Sequence, residues 1–215
     1  MKSTILFMLA GVFGPGLGQV LIYVGMERVG MSLAGNISNS QTLFAALGGV
    51  LFLQEQVTPL GGLGLVILLA GVTMVGMDPS AGNIGRPRRT RDLARPFLSG
   101  LFFGGSYVLR KMALQIVPEI ALGLPVVSTM SLLSLALWAP LMRQRFANPG
   151  GKALVMLVIG GLFTGAAQGF SLWSILLGDL SVVIALQNTQ PLFTVALAAL
   201  FLRKLERVTR LVVAG

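Results

Sequence analysis

Neither cysteine nor histidine occurs among the 215 residues. Without cysteine there are no disulfides and no thiolate metal sites. Without histidine the chain lacks the commonest metal ligand and the usual general base. Charge is scarce too. Only 11% of residues are charged, against about a quarter in a soluble domain. Acidic residues are fewest, 7 against 16 Lys and Arg, and none falls at the centre of a long apolar run. An intramembrane carboxylate for proton relay is therefore missing, and so is the carboxylate pair of an intramembrane enzyme. Non-enzymatic action without a cofactor or metal is expected. The net charge of +9 raises nucleic acid as a partner. However, the main basic cluster, Arg86, Arg88, Arg89, Arg91 and Arg95, has no aromatic residue interleaved for stacking bases, so nucleic acid binding is not expected.

What fills the chain instead is apolar sequence. Hydrophobic residues make up 54% and mean hydropathy is +0.85. The runs are longer than the ten-residue alternating strands of a membrane barrel and apolar on all sides. Backbone polar groups in lipid must be satisfied within a helix or a closed barrel. These constraints predict an all-α polytopic membrane protein. Seven runs are long enough to span: Ile5–Met26, Gly30–Leu53, Pro59–Met77, Phe97–Val117, Ile120–Met142, Ala153–Leu177 and Ser181–Leu202. The first is read as a span and not a signal peptide, because no cleavage site with a polar mature region follows it. From Val208 to Gly215 an eighth run covers about 12 Å as helix, too short to cross. Asp78 to Pro96, rich in Arg, Gly and Pro, reads as a mobile linker.

If each run crosses once, one side of the membrane receives 13 Lys and Arg and the other only Lys2, Arg110 and Lys111. The positive-inside rule then places the linker 78–96 in the cytoplasm and the N-terminus outside, in a cell's inner (plasma) membrane.

The chain also contains a repeat. Shifted by 149 residues, Gly11 to Leu53 lies on Gly160 to Leu202. Asn39-Ser40-Gln41-Thr42-Leu43-Phe44 meets Asn188-Thr189-Gln190-Pro191-Leu192-Phe193, and Gln19 meets Gln168. Amides are scarce in apolar runs, so these matches carry more weight than matched Leu or Gly. The copies are spans one and two, then six and seven. Five crossings separate them, an odd number, so they are inverted in the membrane, as in many secondary transporters. Completing both units takes five spans each. The expectation is that the chain holds helices three to ten of a ten-helix unit, the last in part, with a first repeat over 1–77, the linker 78–96 and a second repeat over 97–215.

Several motifs resemble the drug/metabolite transporter superfamily, in particular proteins built of two EamA-type repeats. Phe52-Leu53-Gln54-Glu55-Gln56-Val57-Thr58 is similar to the family's Leu-x-Glu-x-x-Thr ending of a fourth helix. Gly64 to Val75, with Ala70-Gly71-Val72, is similar to its fifth helix, and Pro191, Glu206 and Thr209 match residues of the ninth and beyond. Phe103-Gly104-Gly105-Ser106-Tyr107-Val108, with Arg110 and Lys111, resembles the opening helix of a repeat. Thr42 stands where the family has Pro. The family's usual drawing puts the linker outside, opposite to the charge count. What the resemblance implies is a permease for small molecules, with a central cavity lined by helices three, four, eight and nine.

Candidate binding residues are polar groups inside spans, which are costly and face the bundle or a cavity. They are Gln19, Asn36 and Asn39 in the first copy, and Gln168, Gln187 and Gln190 in the second. Asn36 and Asn39 share a helix face, as do Gln187, Gln190 and Thr194. The competing role is interhelical glue, about 0.6 kcal/mol per contact. Pro125 and Pro191 would free carbonyls and kink their helices. Gly11 with Gly16, and Gly160, Gly161 with Gly165, would let helices approach closely. Glu55 and Glu206 end their spans and read as caps. The expected function is transport of amino acids or other amphiphilic metabolites by alternating access. The alternatives are a non-transporting membrane fragment and a membrane scaffold. Expected partners are a small-molecule substrate and the lipid bilayer, and homo-oligomerisation stays open.

Overall fold

A computed structural model describes residues 1–56, 90–138 and 150–187, together with positions 59, 61–64, 66, 67, 70, 71 and 189. Among these residues the chain is helical and contains no strand. The first helix, α1 (Lys2–Val29), contains 28 residues. Its middle, Val12–Gly18, is π-wound around Pro15. Proline has no N–H to give the preceding turn, and a widened turn accommodates its ring. Gly30 then takes φ 93, ψ 157, a conformation open essentially to glycine alone, and ends α1.

After Gly30 the predicted single span Gly30–Leu53 is two helices, α2 (Met31–Ser38) and α3 (Gln41–Leu53), joined by a turn at Asn39 and Ser40. Ser and Asn side chains compete with helical backbone bonds, and Ser38-Asn39-Ser40 concentrates them at the break. Gln54 ends α3 with a left-handed backbone at φ 57. The Glu55 N–H folds back to the Gly49 carbonyl at 3.1 Å. The third predicted span, Pro59–Met77, is helical at each of its described positions.

Helix α4 (Thr90–Ile116) corrects the expected linker. Residues 90–96, expected as part of the linker, are its first turns. Asp92 in the first turn suits the positive end of the helix, and Arg95 pairs with it at 3.3 Å. Leu93 packs on the cluster of Val29, Leu33, Ala34 and Ile37, and buried Pro96 abuts Gly25. Helices α5 (Ile120–Trp138), α6 (Gly151–Leu177) and α7 (Leu180–Gln187) follow. Pro125 lies inside α5 on an exposed face. The predicted seventh span is described as far as Gln187, with Thr189.

Each of α1, α2, α3, α5, α6 and α7 touches α4. Small residues make this hub. Gly100 lies against Ser38 and Ser40, and Gly104 against the Phe44 side chain and the Gln41 carbonyl. Ser99 and Ser106 donate to the Gly18 and Ala10 carbonyls of α1, both at 2.8 Å, the latter just ahead of Pro15. The main core joins Phe7, Ala45, Val108, Leu114, Val127, Leu172, Ile175 and Ile184. Gly11 packs on the Val127 carbonyl and Met130, and Gly16 on Ser134, as expected. By contrast, Gly160, Gly161 and Gly165 meet no neighbour among the described residues. Helix α6 is exposed from Leu154 to Ala167, and its partners begin near Gln168. An apolar helix exposed in this way suits lipid. Among the described residues three helices are long and apolar enough to cross a membrane: Lys2–Val29, Ile120–Trp138 and Leu154–Leu177.

Candidate functional site

Polar side chains converge where α4 crosses α6 and α7. Arg110, on α4, is 2% exposed. Its Nη1 donates to Gln168 Oε1 at 2.9 Å, and its guanidinium lies over the Tyr107 ring, 5.4 Å from the centroid. The buried Nε has no hydrogen-bond partner among the described residues. One turn further along α6, Ser171 Oγ accepts from Gln187 Nε2 of α7 at 2.8 Å. Gln168, Ser171 and Gln187 are all half-buried. Two of the expected binding residues thus sit on one polar track, linked to a cation.

A second cluster holds the corner between α6 and α7. Lys111 Nζ donates to the Ile175 and Gly178 carbonyls, each at 2.7 Å, satisfying the end of α6. Cations are favoured at that negative end. From the other side, Glu55 Oε1 accepts from the Leu180 N–H at 2.8 Å and Oε2 from the Ser181 N–H at 3.4 Å. A carboxylate at the positive end of α7 satisfies orphan donors. The expected cap at Glu55 is therefore present, but on a helix 125 residues away and not on its own.

The first-copy candidates lie elsewhere. Asn36 is half-buried on α2, and Asn39 is half-buried in the turn that follows, beside Ser40. Ser40 and Thr42 have buried hydroxyls without partners among the described residues. Gln19 is half-buried just past the π turn of α1. Gln190 and Pro191 lie outside the described residues. No group of three or more metal-ligating side chains occurs among the described residues.

Sequence reasoning missed Arg110 and Lys111 as members of the site and counted them as charges at a span end. The signal was present. Arg110 stands six residues before the end of α4, about 9 Å into the helix. A cation at that depth inside an apolar run calls for a partner.

No match to the chain is found among curated proteins. The EamA-like transporter family matches residues 2–77 and 95–215, leaving out only the chain's first residue and 78–94 in between. Long apolar helices, polar groups turned toward the bundle and this match agree: the chain belongs to the EamA-like transporter family and is a membrane-embedded transporter of the drug/metabolite transporter superfamily.

Proposed function

We propose that the chain moves small amphiphilic metabolites, such as amino acids, by alternating access between two inverted repeats. The observation that carries the reading is a matched pair of turns, 149 residues apart. Helix α2 runs Met31–Ser38, and α7 runs Leu180–Gln187. The shift of 149 residues superimposes their first residues, Met31 and Leu180. It also maps the turn bond from Ser40 N–H to the Ile37 carbonyl onto the bond from Thr189 N–H to the Leu186 carbonyl, both 3.1 Å. Turns at corresponding places in two repeats support a binding site between them. The candidate amides Asn36, Asn39 and Gln187 lie in or beside these turns, and Gln168 lies one helical turn before Ser171, the partner of Gln187; there they can hydrogen-bond a polar substrate. In this proposal the protein occupies the inner membrane with its Arg-rich linker in the cytoplasm.

Counterflow in liposomes tests the reading. The chain is reconstituted and offered radiolabelled amino acids and other small amphiphiles. Uptake of at least one compound, reduced tenfold or more by Gln168→Ala or Asn39→Ala in folded protein, is the expected result. A folded chain that moves no compound in the panel, or variants that transport normally, would sink it.

A further inference from the structure

We infer that Arg110 is the seat of a substrate carboxylate, so that the transported class is monoanionic or zwitterionic acids with an apolar remainder. This rests on the transporter reading above and narrows its substrate. The argument begins with a charge imbalance. A guanidinium stays protonated in proteins, and burying it is expensive unless a counter-charge and hydrogen bonds surround it. Arg110 is 2% exposed. Its partners among the described residues are neutral: the Gln168 amide oxygen at 2.9 Å and the Tyr107 ring. Among the described residues no carboxylate pairs with it, and its Nε is without a partner.

The two nearby charges are already engaged. Lys111, the next residue, donates both its bonds to the end of α6. Glu55 accepts from the start of α7. Among the described residues one positive charge is therefore left over, and its buried Nε–H has no acceptor. A monoanion balances it, whereas a phosphate, carrying about −1.5 to −2 at neutral pH, would overshoot. A carboxylate also matches the planar fork of donors that guanidinium presents.

The surroundings fit the rest of such a ligand. Gln168 is half-buried at the point where α6 passes from exposed to packed, which gives an approach from beside the helix. Ser171 and Gln187, one turn on, offer a hydroxyl and an amide to a second polar group. Apolar side chains of Leu172 and Ile175 continue along the same helix.

The test measures binding, so that it does not depend on transport. Purified full-length chain in detergent is titrated with phenylacetate, phenylacetamide, N-acetyl-leucine, N-acetyl-leucinamide and phenyl phosphate. Thermal unfolding is followed by tryptophan fluorescence. The expected result is stabilisation by the two carboxylic acids and not by their amides, with midpoints weakened at least tenfold in Arg110→Gln. If that variant fails to fold, Arg110→Lys takes its place. It keeps the charge, loses the fork, and is expected to bind the acids at least fivefold more weakly. Gln168→Ala keeps the charge and should retain the preference for acid over amide.

Equal stabilisation by acid and amide, or an acid preference unchanged without the guanidinium, overturns the inference and makes Arg110 a packing residue. Stronger stabilisation by phenyl phosphate than by phenylacetate overturns the carboxylate assignment. No stabilisation by either acid overturns it as well, even if liposomes show counterflow of neutral compounds, which would leave the transporter reading standing. Acid-selective binding without any counterflow supports the Arg110 site and counts against transport.

Discussion

Single residues set where this chain bends. Gly30 has φ 93 and ψ 157, and any side chain there meets a backbone conformation that costs about 1–3 kcal/mol. Gly30→Ala should therefore lower stability by that amount, read from unfolding in mixed micelles. Gln54 presents the opposite case, a side chain held at φ 57 where glycine is at ease. Gln54→Gly should be neutral or stabilising by up to about 1 kcal/mol, since left-handed strain is relieved while unfolded-state entropy rises. Neither special angle could be read from composition. Gly30 was legible as the start of an apolar run, and Gln54 as part of a family motif. The φ values arise only when the following segments dock.

At the scale of elements, the same residue type has two fates. Gly104 faces the Gln41 carbonyl and Ala45 N–H of α3, and an added methyl would lie 2.8 and 3.0 Å from those backbone atoms, which cannot yield. Gly104→Ala should cost about 1–3 kcal/mol by overpacking. A methyl added at Gly160 meets nothing within 4 Å among the described residues, so Gly160→Ala should leave stability unchanged or raise it by up to about 1 kcal/mol through helix propensity. Parallel unfolding curves of the two variants check the contrast. Glycine spacing alone made these positions look alike. The corner between α6 and α7 provides another element-scale test. Glu55→Ala should cost about 0.5–2 kcal/mol, the usual worth of a helix N-terminal acceptor. Lys111→Met should cost about 0.3–2 kcal/mol at the other helix end. Faster amide exchange at Leu180 and Ser181 in Glu55→Ala would show that the cap acts locally. Unchanged exchange would show that the contact contributes nothing.

For the whole molecule, charge bias is the argument for orientation. A chain without cysteine allows single cysteines to report on it. With the linker in the cytoplasm, Arg88→Cys should react with a membrane-impermeant maleimide only after cells are opened, and Lys2→Cys should react in intact cells. The reverse pattern would favour the family's usual drawing. Orientation depends on the sum of Lys and Arg over each side, so one substitution should not invert it.

Sequence by itself determined the membrane class, the helical content and the approximate place of each described apolar helix. Lipid admits few backbone solutions, and long apolar runs without charge leave only one. The proposed duplication rests on amides such as Gln19 and Gln168, which stand out against apolar neighbours. Tertiary structure decided the rest: that the span from Gly30 breaks at Asn39, that the linker's last residues join α4, and that α4 is the hub. It also brought Arg110 to Gln168 and Glu55 to Leu180, partners separated by 58 and 125 residues. Such pairings depend on which helix faces are buried against one another. Hydropathy cannot specify them in a chain whose helices are apolar all round, because there the choice of neighbour rests on small residues and a few buried polar groups.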